Sequence, residues 1–173
     1  KKTLHIELAP KLTLAKINKH KRINEWEFFI NIKSLNSNTI NDLLNNTEEK
    51  IQFDPMKGLI HGFIDLVFEF QGLYYIIDWK SNYLGPKPDN YNQSNLQKVI
   101  KKHNFDLQYN LYILALIRHL KIHLKDFEYE EHFGGVFYVF LRGILDQKSI
   151  FFDRPQKEVI NTFNRQISGE DIG

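Results

Sequence analysis

At 173 residues the chain is long enough for one domain with a substantial core, and 42% hydrophobic with 14% aromatic residues suits a globular protein. A net charge of +2 excludes a polycation that binds nucleic acid through bulk charge alone, though not a local basic patch. The absence of cysteine excludes disulfides and thiolate metal sites, so a metal would need oxygen or imidazole ligands.

No run of residues approaches the ~18 apolar positions of a membrane span. The chain opens at Lys1, its only methionine is Met56, and no secretory or transit segment precedes the first strand. These features suggest a fragment of a longer protein. Lysine far outnumbers arginine, which reads as coding bias in an A+T-rich genome.

Residues 1–24 are polar and basic, with the run Lys16-Ile17-Asn18-Lys19-His20-Lys21-Arg22, and read as an irregular lead-in. Residues 25–33 alternate well enough for a strand. Residues 34–57 are rich in Asn and Ser, with a short helix near 38–45 and a break at Pro55. Two apolar runs follow, one through Leu59–Phe70 and one through Leu73–Lys80, joined by Gln71-Gly72. Both are rich in β-branched and aromatic residues, and the span 59–82 reads as a β-hairpin.

A loop at 83–92 carries Gly85, Pro86 and Pro88, and a short helix is expected at 93–102. Residues 105–122 form the strongest helical stretch. Leu107, Leu111, Leu114 and Ile117 hold one stripe, while Tyr109, Ile113, Leu116 and Leu120 widen it. A helix apolar on most sides is a buried one. Gly134-Gly135 opens a strand at Val136–Arg142, Ser149–Asp153 reads as another, and Pro155 starts a final amphipathic helix to about Ile167. The order predicts an α/β fold: a mixed sheet with flanking helices. The organisation expected is a lead-in at 1–24, a domain at 25–168 and a tail at 169–173.

The hairpin carries the chemistry. If Gln71 and Gly72 form a two-residue loop, Phe70 pairs with Leu73, and counting back sets Asp65 across from Asp78. Directly opposed side chains have Cβ atoms about 4.5–5.5 Å apart, where like charges repel. Two carboxylates so placed within apolar strands imply a cation between them. Lys80, two residues past Asp78, returns to the same face. Hard carboxylate oxygens favour Mg²⁺ or Mn²⁺. Such an ion binds phosphate and lowers the pKa of a bound water, and Lys80 would hold that water or add positive charge in the transition state. Asp65 with Asp78-x-Lys80 therefore suits phosphodiester hydrolysis. The bland alternative is a solvated acid pair beside a strand-end surface lysine.

Asp65 followed by Asp78-Trp79-Lys80 resembles the PD-(D/E)XK nuclease signature. Further blocks are similar to the C-terminal nuclease domain of the exodeoxyribonuclease V beta subunit (RecB) family. These are Gly62-Phe63-Ile64-Asp65-Leu66-Val67-Phe68, Asp78-Trp79-Lys80-Ser81-Asn82 with Leu84-Gly85, and Asp106-Leu107-Gln108-Tyr109 with Leu111-Tyr112. His132-Phe133-Gly134-Gly135-Val136 and Phe140-Leu141-Arg142-Gly143 complete the set. The likeness runs from about Glu25 to about Pro155.

This resemblance implies a restriction-endonuclease-like core and the nuclease module of a helicase–nuclease that processes double-strand DNA ends. Asp65 and Asp78 match the metal-binding acids and Lys80 the catalytic lysine, while the Trp79 backbone carbonyl would face the metal. Gln108 and Tyr112 match the family's Gln-x-x-x-Tyr motif, sharing a helix face at i and i+4. Glu25 aligns best with a family glutamate on the strand before the hairpin, with Glu27 two residues on. Mg²⁺ is the implied cofactor, Mn²⁺ an alternative and Ca²⁺ an inhibitory occupant. The implied partners are DNA, the RecC and RecD subunits and the strand-exchange protein RecA, with no membrane, in the bacterial cytoplasm.

There are departures. The family's upstream metal-binding histidine has no counterpart: His5 lacks its context, and His61 lies roughly 13 Å along the strand from Asp65. A site missing that ligand should bind metal weakly. No Gly-x-x-x-x-Gly-Lys-Ser/Thr phosphate loop is present. His119 and His123 read as complements to a helix C-terminus, not ligands. Lys16–Arg22 and Lys98, Lys101 and Lys102 read as solvated faces that could touch phosphate, and Glu69 as solvent-facing. The rival functional reading is a non-catalytic module that docks RecA or DNA. A restriction-type endonuclease is disfavoured by the later blocks.

Overall fold

The expected hairpin is present, and its turn explains its register. In the computed structural model, which describes residues 5–45, 50–146 and 149–169, Gln71 and Gly72 both adopt positive φ, at 54° and 85°. A two-residue loop of that twist matches the natural twist of the strands it joins. Pairing then runs back from Phe70↔Leu73 through Phe68↔Tyr75 to Leu66↔Ile77, in the expected register. Glu69 closes the turn by accepting from the Gly72 N–H at 2.8 Å.

The elements in chain order are β1 (Glu7–Ala9), β2 (Leu12–Thr13), β3 (Arg22–Leu35), α1 (Ser37–Leu43), β4 (Met56–Phe70) and β5 (Leu73–Lys80). They continue with α2 (Gln93–Lys102), α3 (Phe105–His123), α4 (Tyr129–His132), β6 (Phe133–Phe140), β7 (Ile150–Asp153) and α5 (Lys157–Ser168). Five strands form one sheet in the order β3-β4-β5-β6-β7, and β1 and β2 form a separate small sheet. Within the larger sheet β4/β5 and β6/β7 are antiparallel while β5/β6 is parallel. This is a mixed α/β architecture of the restriction-endonuclease-like kind.

The chain resolves into two compact units, each made of three segments. The first comprises Lys1–Trp26, Ile64–Val99 and His132–Arg154. Its core lies on one face of β4, β5, β6 and β7: Leu66, Phe68, Ile77, Phe137, Val139 and Ile150. Ile6, Leu8, Leu12, Leu14 and Ile17 pack against that face and are all buried. The segment expected to be an irregular lead-in is thus part of the core. Its apolar residues are too scattered among lysines to show a period, and only the sheet they cover gives them a common side. Lys21, expected on a solvated face, forms an ion pair with Glu69, whose side chain is 16% exposed. That pairing and the Gly72 N–H, despite partial burial, hold the Glu69 carboxyl below its usual pKa. Glu69 is therefore not simply solvent-facing.

The second unit comprises Glu27–Phe63, Ile100–Glu131 and Pro155–Gly173. α3 is its spine, buried from Tyr112 through Ile117, as expected of a helix apolar nearly all round. α5 packs on both α1 and α3, with Arg118 donating to Asn164 at 2.7 Å. Lys101 is not a free surface cation: it pairs with the buried Asp106 at 2.7 Å and donates to the Leu44 carbonyl. Along β3 and β4 the aromatic rings stay outward, Phe29 and Phe63 both being about half exposed, and His61 stacks on Phe29 at 4.6 Å. His61 also bonds Glu27 at 2.9 Å.

Strand β6 starts three residues earlier than expected and ends at Phe140, with residues 141–146 turning into a 3₁₀ segment. Gly134 and Gly135 lie inside it. A Cβ on Gly134 would strike the Tyr75 ring, and Gly135 holds a φ of 132° beside Phe152, so both admit aromatic neighbours. The tail expected at 169–173 lies outside the described residues beyond Gly169.

Candidate active site

Strand alternation decides which side chains meet. Leu66, Phe68, Ile77 and their partners face the core just described, so Asp78 and Lys80 face the other way. The paired ladder reaches Leu66↔Ile77, one step short of Asp65 and Asp78. At that step Asp65 turns its Oδ2 to accept from the Trp79 backbone N–H at 2.7 Å, which ties the carboxylate across to β5. The Trp79 side chain packs on the core side.

Asp78 is only 5% exposed. Lys80 Nζ sits in ion-pair contact with its Oδ1, and the same ammonium lies over the Tyr138 ring, 4.8 Å from its centroid. Oδ1 is closed to solvent, and the lysine lies close to it without the alignment of a proper hydrogen bond. Burial drives the Asp78 carboxyl above its ordinary pKa, the Lys80 ammonium opposes that rise, and the nearby Asp65 charge adds to it. Mutual repulsion of this kind is what two carboxylates facing one space should show.

The parallel pairing of β5 with β6 sets Asp78 beside Tyr138 and Lys80 beside Phe140. Reasoning along the sequence missed Tyr138, because the partner strand lies beyond three helices and no local pattern announces the register. Asp78 and Lys80 occupy the carboxyl-terminal half of β5, which runs parallel to β6, and ligands of open α/β sheets gather at such strand ends.

The donor set suits a hard divalent cation in one specific way. Asp78 Oδ1 is a buried carboxylate oxygen lacking a directed hydrogen bond, and Asp65 is within electrostatic reach of it. Mg²⁺ commonly takes one or two carboxylates and fills its remaining positions with water and substrate phosphate. A larger protein cage is not present: among the described residues no group of three or more His, Asp or Glu is arranged to hold a metal. Glu25 is accordingly not grouped with Asp65 and Asp78 among the described residues. It stands exposed at a φ of 49°, a left-handed kink that interrupts the alternation expected to align it with Glu27.

In the second unit Gln108 Nε2 donates to Tyr112 Oη at 2.8 Å, as their shared helix face requires. Tyr112 also meets Phe28 edge-on, with centroids 5.6 Å apart. His119 and His123 stack at 4.0 Å, and the His123 ring bonds the His119 carbonyl near the end of α3. Burial, aided by His123, keeps the His119 imidazole below its usual pKa. No helix among the described residues is long and apolar enough to cross a membrane.

No family model matches the chain. It is, however, 44% identical over 163 residues, 90% of its length, to RecBCD enzyme subunit RecB of Buchnera aphidicola subsp. Schizaphis graminum. It is 42% identical over 122 residues to the same subunit of Escherichia coli, and 45% identical over 114 residues to that of Haemophilus influenzae. These matches take in 69% and 65% of this chain. The chain spans only 14%, 10% and 9% of those three relatives. Identity sustained at this level over most of its residues relates the chain to one segment of RecB, a subunit of the RecBCD enzyme.

Proposed function

We propose that this chain is the nuclease module of a RecB-type helicase–nuclease subunit, a Mg²⁺-dependent deoxyribonuclease acting on DNA ends in the bacterial cytoplasm. One observation carries the reading: Asp78 is buried, ion-paired to Lys80 and repelled by Asp65 at the end of a single hairpin. A structural ion pair would need only one acid. A second carboxylate that raises the first one's pKa destabilises the site unless a cation shares them.

In this reading Asp65 and Asp78 hold the ion, with the Trp79 backbone carbonyl beside them. Mn²⁺ would substitute, and Ca²⁺ would occupy the site without turnover. Bound Mg²⁺ supplies Lewis acidity and a more acidic water. Asp65, fixed by the Trp79 N–H, presents its other oxygen in a set direction. Lys80, placed beside Asp78, would offer its ammonium to the phosphate oxygens or the attacking water. Gln108 and Tyr112 act as a hydrogen-bonded pair that positions the DNA strand. RecC, RecD and RecA are the implied protein partners.

The test is cleavage of end-labelled DNA across a Mg²⁺ titration, in the full-length subunit and in its Asp78→Ala variant. Loss of at least about a hundredfold is expected, the scale of removing a principal stabiliser of transition-state charge. Cleavage that persists unchanged in Asp78→Ala overturns the assignment. The second reading, a docking module for RecA or DNA, draws on the outward Phe29, Leu59 and Phe63 side chains of β3 and β4. It gains if partner binding is kept while no metal supports cleavage.

A further inference from the structure

We infer that Tyr83 and Arg142 form a clamp for one nucleotide of single-stranded DNA, with the base stacked on the tyrosine and its phosphate held by the guanidinium. Nothing in the metal chemistry uses these residues. Taking DNA as the ligand rests on the proposed nuclease reading; the clamp geometry stands by itself.

Tyr83 follows the end of β5 by three residues, and Arg142 follows the end of β6 by two. Lys80 and Phe140, the last residues of those strands, are paired in parallel, so both chains leave the sheet at the same end. Three residues of backbone span at most about 10 Å, which puts Tyr83 within a few nucleotides of Lys80 along a strand. The Arg142 guanidinium lies 5.7 Å from the Tyr83 ring centroid, while Tyr83 remains 61% exposed. Leu141, 39% exposed, extends the apolar surface.

The loop that carries Tyr83 is anchored. The Leu84 N–H donates to Tyr91 Oη at 3.2 Å, and the Lys87 N–H donates to Asn90 Oδ1 at 2.9 Å. Tyr91 is 3% exposed and presses on Gly143, where any Cβ would run into its ring. The residue next to Arg142 is thereby locked to the loop that carries Tyr83. An exposed aromatic on a rigid support loses little freedom when a base stacks on it. A guanidinium over such a ring keeps N–H donors at its edge for phosphate oxygens. Stacking on aromatics together with cationic contact to the backbone is the general mode of single-strand binding.

The experiment measures binding of a labelled single-stranded oligodeoxynucleotide to this chain by anisotropy without divalent cations, across a salt series. Tyr83→Ala should weaken binding roughly five- to 150-fold with the salt slope unchanged, whereas Tyr83→Phe should stay within about twofold of wild type. Arg142→Ala should reduce the slope of log K against log salt by about 0.7, one single-strand phosphate contact. Both side chains are exposed, so circular dichroism and melting should match wild type. Absence of binding by the wild type, unchanged affinity in Tyr83→Ala, or an unchanged slope in Arg142→Ala overturns the clamp. The two readings separate cleanly. Wild-type protein that binds with this Tyr83 dependence but never cuts in Mg²⁺ refutes the nuclease and leaves the clamp. Cutting with KM and binding unaltered in both variants refutes the clamp and leaves the nuclease.

Discussion

Replacing Lys80 with Gln tests the electrostatics of the site apart from any activity. The ammonium and Asp78 are a mostly buried pair, with side chains 11% and 7% exposed. In the wild type, burial already raises the Asp78 carboxyl above the ordinary 3.8, and Lys80 opposes that rise. Deleting the lysine removes the opposition, so the folded-state pKa climbs further. A carboxyl with a raised folded pKa stabilises the fold relative to its ionised form only at low pH, and that contribution disappears as pH rises through the folded value. Lys80→Gln should therefore differ little in stability from wild type near pH 4. The deficit should open as pH rises from the wild-type folded pKa of Asp78 to the higher value in the variant, and then level off. Breaking a buried pair costs about 3–5 kcal/mol, and the residual exposure of Lys80 places this case near 3 kcal/mol. Urea unfolding of the metal-free protein at several pH values between 4 and 8 reads the effect. Asp78→Asn in the Lys80→Gln background should recover most of the loss, because no buried charge is then left unpaired. A deficit of equal size at every pH, or none at neutral pH, would show that Asp78 is not a buried charge dependent on Lys80.

Two further outcomes probe the scaffold. Leu12 is 2% exposed in the face-covering N-terminal segment, so Leu12→Ala should cost about 2–5 kcal/mol by urea unfolding. A loss under about 0.5 kcal/mol would mark that segment as surface. At Gly143, adding a single methyl group drives a Cβ into Tyr91, and Gly143→Ala should cost about 1–3 kcal/mol. It should also loosen the loop carrying Tyr83, seen as faster amide exchange at Leu84; unchanged exchange would refute the anchoring.

Much of the site could be read from residue order because its parts are local. The turn at Gln71-Gly72 demands positive φ, that twist sets the hairpin register, and alternation along β5 then returns Lys80 to the side of Asp78. α3 and α5 were equally legible from their apolar patterns, with boundaries shifted by two residues at most. What depends on distant segments was not legible. The parallel pairing of β5 with β6 spans three intervening helices, and it alone brings Tyr138 under Lys80 and Arg142 to Tyr83.

Expectations failed where local rules met tertiary demands. Glu25 looked aligned with Glu27 until a left-handed residue interrupted β3. The lysine-rich opening looked irregular because burial of Ile6, Leu8, Leu12, Leu14 and Ile17 is imposed by the sheet beneath them. Lys101 looked solvated until it met Asp106 and the Leu44 carbonyl. Residue order determined which groups could share a strand face, since a pleat repeats every two residues. Folding decided which of them became buried, paired or strained, because desolvation and long-range register depend on what other segments bring alongside.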